Sequence, residues 1–351
     1  MRVKLGDVCE RGTSNLKLSD VSEKNGEFSV FGASGYIGSV DFYQQGYPYV
    51  AVVKDGAGIG RAMLCPGKTS VIGTMQYLLP KDNILPKYLF YVVKYMNLEK
   101  YFTGATIPHI YFKDYKNEEF NFDFWERQVE IVSVLSKCEK VIDLCKQELQ
   151  LLDKLIKARF VELFGDPVSN SYGLPEATLP DLGEFGRGVS KHRPRNDIKL
   201  LGGKYPLIQT GDVANAGLYI TSYSSTYSEL GLKQSKMWDK GTLCITIAAN
   251  IAKTAILEFD ACFPDSVVGF IANERTNNIF VHYWFSFFQA ILESQAPESA
   301  QKNINLKILS ELKVIVPEKR KQDQFASFVK LTDKSEFVER FPELSLFFKA
   351  Y

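Results

Sequence analysis

The chain has 351 residues, 45% of them apolar and 24% charged, with a formal net charge of +1. That length predicts more than one domain. Near-neutral charge excludes a generic polyanion binder, so any nucleic-acid contact must come from local basic clusters. The 25 Phe and 18 Tyr favour β-rich units with large cores. Six cysteines (Cys9, Cys65, Cys138, Cys145, Cys244 and Cys262) form no CxxC pair and have no histidine at zinc spacing. They read as reduced and mostly buried, with no metal site expected. No apolar run reaches the ~18 residues of a membrane helix and no signal peptide is apparent, so the expectation is a cytoplasmic protein with no membrane partner.

In chain order, the first segment is "LGDVCERGTS", Leu5 to Ser14, and it returns far downstream as "LPDLGEFGRGVS", Leu179 to Ser190. "FSVFGASG" from Phe28 is answered by "YPLIQTGD" from Tyr205. "SVIG" from Ser70 is answered by "SVVG" from Ser266. The aromatic "LFYV" at Leu89 is answered by "HYWF" at His282, each opening a helix, and "ATIPHI" from Ala105 by "SAQKNI" from Ser299. The order is kept throughout, which predicts two copies of one domain.

Between the first pair of matches lies "VAVVKDGAGIGRAML", Val50 to Leu64, with Gly56, Gly58 and Gly60 after a run of β-formers. It lacks the last glycine of GxGxxG and runs on into another β-like stretch, which argues against a dinucleotide loop. Its counterpart "TLCITIAANIAKTA", from Thr242, has Ala248, Asn250 and Ala252 in place of the glycines. A phosphate cradle would not survive that replacement, so the glycines read as turn and close-approach residues.

From Trp125 to Phe164, Gly and Pro vanish and helix formers dominate. Ile131, Leu135, Cys138, Ile142, Cys145, Leu149, Leu152 and Ile156 alternate at four and three residues, an unbroken heptad seam that predicts a coiled-coil partner. About 34 residues of such a rod span roughly 50 Å, on the order of 15 base pairs. "FGDP" stops it. A shorter helix begins near Glu318, and Pro342 should end it. The boundaries are a first domain over 1–124, the central helix over 125–165, a second domain over 166–317 and a C-terminal helix over 318–351.

No Walker A sequence, HExxH or histidine beside a nucleophile is present, nor the motif of a methyltransferase acting on DNA amines, a polar residue followed by paired prolines and an aromatic. Two similar domains, each trailed by a helix, resemble the specificity subunit of type I restriction–modification systems. The residues that carry the likeness are "PLIQTGDV", "DACFPDSVVGF" and "SAQKNIN" in the second domain and "FGASGYIG", "VVKDGAGIGR" and "GATIPHIYFKDY" in the first.

The resemblance implies an α+β chain: two β-rich target-recognition domains with small helices, separated by long helices in an antiparallel coiled coil. It implies a non-catalytic subunit in which each domain reads one half of a bipartite duplex target. Modification subunits would dock on the helices and bring S-adenosylmethionine; restriction subunits would bring ATP and Mg²⁺. No cofactor is expected on this chain. The family's Pro-gap-Gln helix opening is kept as "PEKRKQ" (Pro317 to Gln322) but lacks its proline in "FDFWERQ" (Phe122 to Gln128). The C-terminal helix is short, so Ile131, Leu135 and Cys138 should be left to another subunit, to self-association through the coiled coil, or to weak order.

Candidate DNA contacts follow from local charge. "RGVSKHRPRNDIKLLGGK", Arg187 to Lys204, has six Lys/Arg against one Asp and reads as an outward loop. Lys191, Arg193, Arg195 and Lys199 are its candidates, for phosphate or guanine. Gln209 and Thr210 follow it. Ser299, Gln301, Lys302 and Asn303 form a second set, and Thr106, His109 and Lys113 occupy the matching place in the first domain. Lys54 and Arg61 flank the glycines; Ser34, Tyr36 and Lys68 are lesser candidates. Two other readings remain open. One is a glycine-loop nucleotide or small-molecule enzyme, for which Asp55 and Lys54 have no identifiable partner. The other is a β-rich scaffold that binds no DNA.

Overall fold

The computed structural model describes residues 1–22, 26–104, 108–248, 251–295 and 306–332, and it divides into two units that part between Asp143 and Leu144. The first begins with the strand Arg2–Lys4, antiparallel to Glu119–Asn121, and the single turn Leu5–Val8. The Leu-x-Asp motif makes that turn: the Asp7 carboxylate accepts the Lys4 N–H at 3.1 Å. A four-stranded antiparallel sheet follows, in the spatial order Cys9–Thr13, Met75–Pro80, Tyr49–Val53, Ala62–Cys65.

The strand Tyr49–Val53 is buried at every residue because both of its faces are covered. Val50 and Val52 join Leu89 and Val93 of the helix Pro86–Met96, while Tyr49, Ala51 and Val53 join Met75 and Tyr77. That alternation is the period of two of a strand sandwiched between layers. On the second side lies a small sheet ordered Gly35–Val40, Phe28–Gly32, Ser70–Val71, its last strand parallel to its neighbour.

The second unit repeats the plan. Asp181 accepts the Thr178 N–H at 3.0 Å and sets the turn Leu179–Leu182. The main sheet runs Gly183–Arg187, Val267–Ala272, Leu243–Thr246, Thr254–Leu257, with Tyr219–Ile220 added in parallel. Its small sheet again has a parallel step, Leu207 beside Cys262. The paired Ser-Val-x-Gly segments are not equivalent. Ser70–Val71 is the parallel strand beside Phe31, a place held in the second unit by Ala261–Cys262, whereas Ser266–Gly269 enters the long strand Val267–Ala272. A Cβ on Gly269 would lie 2.6 Å from the Trp238 ring, so that glycine makes room for an indole and shares no role with Gly73.

One helix covers Trp125–Phe164, and a second covers Lys319–Leu331. Each opens on a wholly buried glutamine. The Gln128 amide donates to the carbonyls of Asn83 (3.0 Å) and Asp123 (2.9 Å) and accepts the Leu85 N–H at 2.9 Å. Gln322 donates to the carbonyls of Arg275 (3.0 Å) and Pro317 (2.8 Å) and accepts the Thr276 hydroxyl at 2.8 Å. Asp123 therefore supplies in the first unit the carbonyl that Pro317 supplies in the second, and the missing proline costs the motif nothing.

Along the seam, Cys145 and Ile156 are buried, Ile142, Leu149 and Leu152 half-buried, and Leu135 and Cys138 exposed. Ile131 packs with Val132 into the core of the first unit, so it serves that domain rather than a coiled-coil partner. In the second unit Phe160 stacks on Phe280 and meets Phe325 edge to face, Phe164 meets both rings edge to face, and Arg159 lies over Phe328. Phe325 thus meets the later residues and Phe328 the earlier one, an antiparallel contact. The remainder of the expected C-terminal helix, from 333, lies outside the described residues. A second apolar stripe, Val134, Val141, Leu144, Leu151 and Leu155, is exposed beside the seam.

Candidate nucleic-acid interface

In the first unit, the glycine segment is a hairpin. Val53 donates to the Arg61 carbonyl at 2.9 Å and Gly60 donates back to Val53 at 2.8 Å. Gly56, Gly58 and Gly60 all have positive φ (87°, 81° and 80°), which favours glycine. A Cβ on Gly60 would lie 2.5 Å from the Glu99 N, and one on Gly58 would strike the Arg61 guanidinium. Ala252 plays the part of Gly60 in the second unit: its φ is 55° and it donates to Thr246 at 2.9 Å, while Thr246 donates to Lys253.

The hairpin tip meets the segment after Phe102, with Gly56 donating to Pro108 at 3.0 Å and Ile110 to Lys54 at 3.0 Å. That brings together side chains far apart in sequence. Asp55 accepts from His109 Nδ1 at 2.6 Å and sits 3.3 Å from Lys54 Nζ. His109 stacks on Tyr111, and Lys113 lies 5.3 Å over the same ring. Asp55 thus has a partner that its sequence neighbours do not reveal. Fixing Nδ1–H on a carboxylate leaves Nε2 of His109 directed away as an acceptor when the ring is neutral, or as a donor when it is protonated. Arg61 donates through Nε to Gly58 at 3.4 Å and borders, with Ser34, a notch of about 260 Å³. Tyr36 is exposed, and Lys68 sits apart at positive φ. Thr106 lies outside the described residues.

In the second unit the basic stretch is a loop only as far as Asp197; Lys199 lies in a 3₁₀ turn and Lys204 in the strand Leu201–Leu207, paired with Glu229 at 3.5 Å. Arg193 and Arg195 are not free: both guanidinium groups converge on Asp265, Arg193 at 3.5 Å. Lys191 is exposed. Gln209 has a capping role, its N–H held by Asp212 at 2.7 Å and its amide by Ser225 at 3.2 Å, and Thr210 begins the short helix. Ser299, Gln301, Lys302 and Asn303 lie outside the described residues.

What sequence reading missed is the pairing of Asp55 with His109, and Asp265 altogether. Burial pushes the Cys9 thiol up to about 12 and Cys65 up to about 11, and raises Cys244 and Cys262 as well. Among the described residues, no three His, Cys, Asp or Glu side chains gather as a metal site, and no helix is long and apolar enough to cross a membrane.

The family model described as the type I restriction modification DNA specificity domain matches residues 1–154 and again 176–340. A type I restriction enzyme MjaX specificity subunit of Methanocaldococcus jannaschii is 22% identical over 292 residues, covering 78% of this chain and 68% of the relative. The MjaIX specificity subunit of the same organism is 26% identical over 179 residues, 46% of this chain and 40% of the relative. The crystal structure of a type I restriction–modification system S subunit from M. genitalium aligns over 99% of this chain and 93% of that one, with a TM-score of 0.63 at 17% identity, a likeness of fold.

Proposed function

The chain belongs to the type I restriction modification DNA specificity domain family and is a DNA sequence-specificity subunit, and from that premise we propose that each of its two units reads one half of a bipartite duplex target. One observation carries this reading. The two units share their sheets, their Asp-capped turns and their buried glutamines, yet their polar clusters sit at non-equivalent places: Lys54, Asp55 and His109 in one, Arg193, Arg195 and Asp265 in the other. A common scaffold with different exposed chemistry suits two different half-sites.

In this proposal the chain itself is non-catalytic and acts in the cytoplasm. The hairpin glycines serve backbone geometry, which disfavours the nucleotide-enzyme reading. Modification subunits dock on the helical segment, supported by the exposed stripe from Val134 to Leu155, and bring S-adenosylmethionine; restriction subunits bring ATP and Mg²⁺. The helical segment sets the gap between half-sites. The binding test is the salt dependence of duplex affinity for the chain and for a K191A/R193A/R195A variant. Each phosphate contact adds about 0.9 to the log–log slope, so the variant should shallow it by about 1–2, less than three because Asp265 already offsets part of the charge. An unchanged slope would remove this loop from the interface.

A further inference from the structure

The two arginines on Asp265 are not equivalent. Arg193 is bound to its own loop: Nη1 donates to the carbonyls of Ser190 (2.6 Å) and His192 (2.9 Å), and Nη2 reaches Asp265 at 3.5 Å. Arg195 touches Asp265 through Nη2, and among the described residues its Nη1 and Nε have no partner. A guanidinium has five N–H donors in a planar fork, so bracing one nitrogen leaves adjacent donors aimed outward at a fixed angle.

The brace itself is fixed. Asp265 lies in the turn leading into Val267–Ala272, closed by Val267 N–H to Pro264 O at 3.0 Å. Gly188, at the start of the arginine loop, donates to Val267 at 2.9 Å, and a side chain there would collide with the Phe263 carbonyl. Loop and turn are thus locked together at one end. Under the loop, the Ser190 hydroxyl and the Gln234 amide nitrogen are buried without partners among the described residues, while Gln234 Oε1 takes the His192 N–H at 3.0 Å. At the matching place of the first unit no carboxylate stands: Gly73 lies two residues before its strand Met75–Pro80, as Asp265 lies two before Val267.

We propose that Arg195 is a base-reading residue of the second half-site, offering a guanine its paired donors, and that Asp265 is the positioning residue that presents it, with Arg193 serving as a strut of the loop. The proposal rests on the DNA reading given above. Guanine is the base whose major-groove edge shows two acceptors, O6 and N7, at the spacing of such a fork. Asp265 has a second effect. Its negative charge beside two cations weakens sequence-blind attraction to phosphate, so the same carboxylate that aims Arg195 restrains non-specific binding.

The test uses the intact chain with modification subunits, selecting from duplexes with a random core, for wild type, R195K and D265N. Wild type is expected to enrich two blocks. R195K should keep both blocks but lose one guanine position in one of them, with discrimination there falling about tenfold or more, the share of one bidentate contact. D265N should blur the same position while binding unselected duplex several-fold more tightly, with a steeper salt dependence. The retained positions of the same block report that the second unit is folded, and the untouched block that the first unit is. R195K retaining every position overturns the proposal. So does D265N losing non-specific affinity along with specificity, which is the mark of a merely structural aspartate. A wild type that enriches no sequence contradicts the DNA reading itself, and the inference falls with it.

Discussion

Replacing Gln322 with alanine tests how the C-terminal helix is held to its domain. The side chain is wholly buried and Thr276 is 2% exposed. Truncation leaves the Thr276 hydroxyl and the carbonyls of Arg275 and Pro317 without the partners they have at 2.8, 3.0 and 2.8 Å. A buried polar group left unpaired costs about 1–3 kcal/mol, and water entering the vacated space recovers part of it, so the loss should be about 3–5 kcal/mol. With a urea slope of about 2.5 kcal/mol per molar for a unit of this size, the midpoint should fall by about 1–2 M. Tryptophan fluorescence isolates the unit concerned. Trp238 and Trp284 are 2% and 0% exposed in the second unit, whereas Trp125 is 46% exposed. The Q128A variant, its counterpart in the first unit, should leave that transition in place. A Q322A midpoint within about 0.4 M of wild type would refute the reasoning.

Other consequences concern single groups. Cys138 is the exposed cysteine, so a thiol reagent at pH 8 should add one adduct to the native chain and six after unfolding; several adducts at once by mass spectrometry would contradict the burial pattern. Changing Gly60 to alanine puts a Cβ 2.5 Å from the Glu99 N at a φ of 80°, and should cost about 2–4 kcal/mol in thermal or urea unfolding; a neutral result would show the hairpin can move away. The Asp181 carboxyl is held below its ordinary 3.8 by the Thr178 hydroxyl and then the Thr178 N–H. A depressed folded value means its stabilisation is complete above pH 3.8 and lost as pH falls through the lower folded value. Thermal unfolding of D181N should therefore be less acid-sensitive below about pH 4 than wild type, and equal sensitivity would put the acid response elsewhere.

The scaffold was legible because its signals are local and repeated. The Leu-x-Asp pair became two capped turns, and the unglycinated counterpart of the hairpin proved to hold Ala252 at positive φ. The Ser-Val-x-Gly match misled because three shared letters carry no strand register; pairing with Phe31 and Leu207 decides it. The polar clusters were hidden for another reason. Asp55 and His109 are 54 residues apart, and Arg195 and Asp265 are 70 apart. Their union depends on backbone bonds between loops, such as Gly56 to Pro108, which no periodicity announces. Basic residues were visible in the sequence, but Asp265 was not, and Asp55 was visible without its histidine. The exposed stripe from Val134 to Leu155 was masked by the stronger heptad seam next to it.

The most direct measurement is the pattern of sequence bound by the intact chain with its modification subunits, read by sequencing duplexes selected from a random pool. Two short defined blocks separated by a fixed run of unspecified base pairs are the predicted result, with changes at Lys54, Arg61 and His109 altering one block and changes at Arg195 the other. A single uninterrupted block, or one block altered by both sets of changes, would contradict the assignment of one half-site to each unit.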